Sequence, residues 1–325
     1  MFNSLILWFF GVLGLIKAQE QLFVLNGSAQ GTSYLIRYYA TDQKIKKEEI
    51  ESIFAEVDNS MSLYKPNSLI QQFNKNQQVK VDQHFKTVFG AAQYYHMVTG
   101  GYFDATLAPL MRLWSKAVVV PNAQQIQQTR LKTGMQHITL VNGLLKKHAP
   151  NIELDLNGIA QGYTVDLLAR YLRSKGLKSF LVELGGEIYV QGSKPNGEAF
   201  TIALDSPDED CGDFVPKRVQ IASGAITSSG IYRKLRYIEG YKVHHIIDPF
   251  KGYPVQNDVL SVTTYAPTAM VADAFDNSLL AMGLEKALAF VAKQRNLEAY
   301  FIYRDASGNM KDTASTGFYK IMVRN

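Results

Sequence analysis

The chain carries one cysteine, Cys211, in 325 residues. A single thiol excludes an internal disulfide, so stability must come from the core alone. Cys211 sits in the polar stretch Asp205-Ser206-Pro207-Asp208-Glu209-Asp210-Cys211-Gly212-Asp213 and reads as a loop residue, not a nucleophile. No cysteine follows the N-terminal apolar run, which argues against lipid attachment there. An excess of charge of one sign is also lacking. Lys and Arg number 34 against 29 Asp and Glu, for a net charge of +5, and the basic residues are scattered apart from short clusters such as Lys44 to Lys47. That distribution argues against a nucleic-acid footprint and leaves room for weak attraction to anionic ligands. Internal repeats and low-complexity segments are absent as well.

What is present is ordinary for a globular protein: 46% hydrophobic and 19% charged residues, in a chain long enough for a large core. One large domain or two interleaved lobes fit that length. Leu5 to Ile16 form an apolar run too short to span a bilayer comfortably, followed by Ile16-Lys17-Ala18. This pattern predicts a secretory signal peptide over residues 1–18, cleaved after Ala18, and a mature domain over 19–325. The expected location is therefore exported and periplasmic. The leader's start has no Lys or Arg, and an uncleaved leader would leave the chain associated with the membrane.

Periodicity predicts a strand pair over 23–40 around Asn26-Gly27, and a helix near 45–61 on Ile50, Ile53, Phe54 and Val57. A second helix over 85–98 stops at Gly100-Gly101. Residues 118–147 read as a loop or small subdomain. A third helix over 157–175 ends at Gly176, and a strand over 179–192 follows with Gly185-Gly186 as a bulge. Further strands are predicted over 200–204, 219–222, 243–247, 259–266, 299–303 and 317–323, with helices around Asp273 and over 284–293. Mixed order and short strand-to-strand connections favour an α+β fold of mostly antiparallel sheets flanked by helices.

The densest chemistry lies between Thr227 and Gly283. Thr268 is placed to cap a helix on which Asp273 and Asn277, four residues apart, share one face. Two oxygen donors at that spacing suit a hard cation such as Mg²⁺; the plainer reading is a polar flank on an amphipathic helix. Asp155 ends a predicted strand just before Asn157-Gly158, where a helix start offers free N–H groups to a phosphate. Asp155 would otherwise simply cap that helix. Tyr64, before Lys65-Pro66, can stack on a planar ring or be a surface tyrosine. Tyr102-Phe103-Asp104 follow a helix stop directly, either as ligand contacts or as a hydrophobic staple with a cap. In His244-His245-Ile246-Ile247-Asp248-Pro249, the adjacent histidines alternate faces, and one at a strand end can act as a base near neutral pH.

Together these segments resemble the ApbE family, the FAD:protein FMN transferases, across nearly all of the mature length. The matching residues are Gly31-Thr32 with Tyr34; Met61-Ser62 with Tyr64 and Ser68; Gly101 with Phe103-Asp104; Asp155-Leu156 with Gly158-Ile159-Ala160 and Gly162; Gly185-Gly186; Ser228-Ser229-Gly230 with Tyr232; His245 to Pro249 with Gly252 and Pro254; and Ala272-Asp273-Ala274 with Met282-Gly283. The resemblance implies an enzyme that takes FAD as substrate with Mg²⁺ and attaches FMN to a threonine of a target protein, releasing AMP. It implies FAD contacts from Tyr64, Tyr102, Phe103, Asp104, Asp155, Gln161 and Ile246. The implied Mg²⁺ donors are Asp273, Asn277 and the carbonyl of Gly158, and the implied catalytic residues are His245, as base, and Asp273. The expected partner is an acceptor protein, a membrane-associated redox subunit. Three positions depart from the family pattern: Asn277 replaces Thr, Gln161 replaces Lys or Glu, and Gln30 replaces a Met expected to touch the ligand. A Mg²⁺-dependent FAD pyrophosphatase and a non-catalytic flavin-binding or assembly protein stand as the alternative readings. Asp312 to Gly317 loosely matches an acceptor motif and reads better as a turn before the last strand.

Overall fold

The computed structural model describes residues 19–204, 206–207, 217–232 and 235–323; the expected leader and Cys211 lie outside them. The chain opens with a hairpin of β1 (Gln21–Ala29) and β2 (Thr32–Ala40). Its turn is Gln30-Gly31, both at positive φ (52° and 78°), not the expected Asn26-Gly27. Gly27 is instead mid-strand opposite Tyr34, and a Cβ there would lie 2.7 Å from the Tyr34 ring. The glycine makes room for a cross-strand aromatic.

α1 (Lys47–Met61) buries Ile50, Phe54 and Val57 as the periodicity predicts. α2 (Leu69–Lys75) starts at Ser68, whose hydroxyl accepts from the Gln71 N–H. After β3 (Gln78–Lys80) comes α3 (Gln83–Val98), capped by Asp82 and stopped by Gly100-Gly101 at φ 62° and 93°. α4 (Ala108–Lys116) and α5 (Ala123–Arg130) precede β4 (Ile138–Val141) and β5 (Leu144–Lys147). The last two join β3 in a small antiparallel sheet, so the turn-rich stretch is a subdomain.

α6 (Asn157–Ser174) ends before Gly176 at φ 80°. The single strand expected over 179–192 is two strands, β6 (Phe180–Leu184) and β7 (Glu187–Gln191). Gly185-Gly186 is the hairpin turn between them, because both residues take positive φ (66° and 115°). β8 (Phe200–Ala203) pairs with β9 (Arg218–Ile221), and β10 (Ser223–Gly230) turns the Thr227-Ser228-Ser229-Gly230 segment into a central strand. β11 (Arg236–Ile238) and β12 (Tyr241–Val243) form a ribbon. The strand expected over 243–247 stops at Val243. Beyond it the backbone is held by side chains, with the Ile246 N–H donating to His244 Nδ1 and the His244 ring bonded to the Val255 carbonyl. β13 (Val259–Ala266), α7 (Ala269–Met282), α8 (Leu284–Val291), β14 (Glu298–Arg304) and β15 (Met310–Ala314) follow. The expected strand over 317–323 is replaced by the short helix α9 (Thr316–Tyr319). Glu298 sets this ending, accepting from Ser315 and from the Gly317 N–H, while Asp312 to Ala314 pair with β14.

Among the described residues the main sheet runs β1-β2-β6-β7-β10-β13-β14-β15, antiparallel throughout, and α6 and α7 pack together and against it. The fold is α+β. A smaller apolar cluster of Leu110, Trp114, Ile126, Ile238, Val243 and Ile247 holds α4, α5 and the β11-β12 ribbon together. No helix among the described residues is long and apolar enough to cross a membrane.

Candidate active site

The two helices that carry the site are set by hydrogen bonds between them. Asp166 of α6 accepts from the Ala269 and Met270 N–H groups at 2.9 and 3.0 Å, fixing the start of α7, and Thr268 caps Val271 at 3.3 Å. Gly162 lies where the helices cross: a Cβ would stand 2.4 Å from the Ala269 carbonyl oxygen. Gly158 departs from helical dihedrals (φ −79°, ψ 18°), kinking the first turn of α6 toward Asn277. A Cβ at Gly158 would come 3.8 Å from Asn277 Nδ2.

Beside this crossing is a cleft of about 570 Å³, within the range of small-molecule sites. It gathers residues from segments far apart in the chain. Tyr64, Tyr102, Phe103, Asp104, Asp155, Gln161 and Ile246 all line it, as do His245, Gly158 and Asn277. Asp273 does not reach the cleft wall. It is 3% exposed and lies beneath it, its Oδ2 accepting from the Gly162 N–H at 2.9 Å.

Burial dominates the electrostatics. It pushes the Asp273 carboxyl up to about 7, with the nearby Asp166 charge adding to the shift and the Gly162 N–H opposing it. Asp276 is equally buried. Desolvation, then the charges of Asp273 and Glu187, raise it well above the ordinary range. Asp104 and Asp155 are raised by burial too, against hydrogen bonds from Thr106 and from the Asn157 N–H. Asp155 Oδ1 takes the Asn157 N–H at 2.9 Å, so one helix-start donor is already satisfied, and residues 152–156 are not a strand. Tyr102 is held at the mouth by Lys286, whose ammonium donates to its hydroxyl at 2.8 Å, and by the Phe250 ring at 5.0 Å. Tyr64 is 85% exposed at the same mouth. The two histidines separate as their alternation predicts: His244 is buried, and His245 lines the cleft.

The donor set can be tested against a divalent cation. No group of three or more His, Cys, Asp or Glu among the described residues is arranged to hold a metal. A cation here would rest on one carboxylate with amide and carbonyl oxygens, which suits Mg²⁺ rather than a transition metal. Asp273 and Asp276 are both buried, and a bound cation would offset charge that burial otherwise disfavours. Asn277 Oδ1 accepts from Ser229 Oγ at 2.6 Å, so the amide that replaces threonine is anchored from β10. Gln30 does not line the cleft; its amide donates to Thr164 at 3.2 Å. The positioning roles of Asp166 and Ser229 were not legible as such, because a hydrogen bond between distant segments leaves no periodic signal.

The α+β fold is shared with solved flavin transferases. Flavin Transferase ApbE from Vibrio cholerae superposes with a TM-score of 0.84 at 31% identity, covering 93% of this chain and 99% of that one. The apo form of Pseudomonas stutzeri flavinyl transferase ApbE gives 0.85 at 28% identity, covering 93% and 97%. Residues 30–301 match the ApbE family. The FAD:protein FMN transferase of Vibrio cholerae serotype O1 is 33% identical over 94% of both chains, and that of Escherichia coli K12 is 31% identical over 93% of this chain and 90% of its own. The chain belongs to the ApbE family.

Proposed function

We propose that this protein transfers FMN from FAD to a threonine hydroxyl of an acceptor protein, with Mg²⁺, and releases AMP. The observation that carries the proposal is the convergence of Tyr64, Tyr102 to Asp104, Asp155, Gln161, His245 and Asn277 on one cleft at the crossing of α6 and α7.

Tyr64, Tyr102 and Phe103 offer aromatic surface for the flavin. Asp273, Asn277 and the Gly158 carbonyl would hold Mg²⁺, which when bound neutralises phosphate charge. His245 accepts the proton of the attacking hydroxyl. The threonine oxygen bonds to the FMN-side phosphorus as the bond to the bridging oxygen breaks, and AMP leaves with that oxygen. The enzyme needs no nucleophile of its own. Residues 1–18 act as an export leader, so the mature chain begins at Gln19 and works in the periplasm on a membrane-associated redox subunit. N-terminal sequencing of the exported protein checks the cleavage.

The test of function is FAD turnover by the mature chain in Mg²⁺, with and without a threonine-bearing acceptor, followed by AMP release and acceptor mass. Acceptor-dependent AMP and an FMN-sized mass gain support transfer. AMP and free FMN without acceptor would replace it with a pyrophosphatase, and bound FAD without AMP with a binding protein.

A further inference from the structure

α4 has two working faces. Leu107, Ala108 and Met111 line the flavin cleft. Pro109, Arg112, Leu113 and Lys116 line a second groove, of about 580 Å³, closed by α5 and the segment carrying Val118 and Val119. A recess of about 330 Å³ joins the two: it shares Leu63 and Ala108 with the cleft, and Arg112 and Glu153 with the groove. The three hollows therefore adjoin one another along α4.

Its chemistry is lopsided. Lys75, Arg112, Lys116 and Lys132 line the recess and groove, and Glu153 is the one carboxylate lining them among the described residues. Glu153 is taken by a two-pronged pair with Arg112. That leaves three exposed lysines along these hollows, none in an ion pair with another described residue. Val118 and Val119 are 86% and 60% exposed beside them and give the groove an apolar rim.

We propose that this groove docks the acceptor polypeptide, as an extended segment with acidic residues flanking the modified threonine and an apolar side chain against Val118 and Val119. The inference rests on the transferase reading. A threonine that reaches phosphorus inside the cleft must have its flanking chain leave along the surface beside it, and the recess beside Ala108 adjoins the cleft there. A row of narrow adjoining recesses suits an extended polypeptide better than a broad anionic membrane surface. Unpaired lysines along these hollows steer and orient an acidic segment and disfavour a basic one.

The test uses two short synthetic peptides, each with one threonine, one flanked by aspartates and the other by lysines. The enzymes are the wild type and a Lys116→Glu/Lys132→Glu variant, both substitutions being exposed and outside the cleft. The wild type is expected to flavinylate the aspartate peptide with the lower KM. The variant is expected to raise that KM about tenfold, less at high ionic strength, and to reverse the preference, with FAD affinity unchanged. Equal KM values for the two peptides, or a variant with unaltered preference, would overturn the docking surface. So would charge-dependent binding of the wild type to phosphatidylglycerol vesicles without peptide discrimination. AMP release with FMN on neither peptide would overturn the transferase reading itself, and the docking surface with it.

Discussion

Asp273 on α7 accepts the backbone N–H of Gly162 on α6 at 2.9 Å, at the point where the helices leave no room for a Cβ. One contact thus couples the packing of the core to the placement of the buried carboxylate. Its two halves can be separated by experiment.

Gly162→Ala should destabilise the protein by about 2–3 kcal/mol, since the new methyl meets backbone on the facing helix and a flexible side chain is not there to yield. Urea unfolding of the two proteins measures the difference. An unchanged midpoint would mean that the helices separate at little cost.

The raised carboxyl of Asp273 makes a pH prediction. With its pKa near 7 in the folded chain and 3.8 as the ordinary value, the folded state holds the proton more tightly than the unfolded state. The contribution of Asp273 to metal-free stability should therefore be greatest at low pH, fall as pH rises from about 4 to about 7, and level off above. Mg²⁺ should restore stability at the upper end, where the carboxylate is ionised. Thermal melts across pH with and without Mg²⁺ test this, and Asp273→Asn should flatten the decline. The same substitution should abolish Mg²⁺-dependent turnover.

Ser229→Ala removes the hydroxyl that anchors Asn277. A neutral hydrogen bond of about 1 kcal/mol predicts a Mg²⁺ half-saturation several-fold higher, with FAD binding retained. Asn277→Thr should keep or raise activity. A collapse there would show that local coordination is rebuilt around the amide, with Asp276 as the neighbouring carboxylate.

His245→Gln should lower the rate of FMN transfer by about 10²–10⁴ while FAD still binds, the loss ordinary for a general base. Single-turnover AMP release separates the two steps. A normal rate would leave the base unidentified.

Much of the site was legible because its residues sit at points where the chain must turn or start a helix. Gly158 and Thr268 are of that kind, while Gly162 and Asp273 lie within the two helices where they cross. The hairpins were harder. Asn26-Gly27 has the better turn composition, yet the register pairs Gly27 with Tyr34 and hands the turn to Gln30-Gly31. Gly185-Gly186 served equally as a bulge or a turn by composition, and only the positive φ at both residues decides it. The segment after Val243 has a strand's composition, but the His244 ring takes hydrogen bonds that a neighbouring strand would supply. The cationic groove beside α4 had no sequence signature, because Lys75, Lys116 and Lys132 come together only in three dimensions.

The order of the main sheet also sets how the chain must fold. β2 pairs with β6, placing Tyr34 opposite Leu184, about 150 residues away in the chain. The small sheet, α1 to α6 and one wall of the cleft all lie within that excursion. Closing so long a loop comes before the reward of its contacts, and such high contact order slows folding. Until β6 arrives, β2 presents an open edge with apolar side chains, a state prone to association. Recovery from denaturant should therefore be slow and fall off as protein concentration rises, whatever the equilibrium stability.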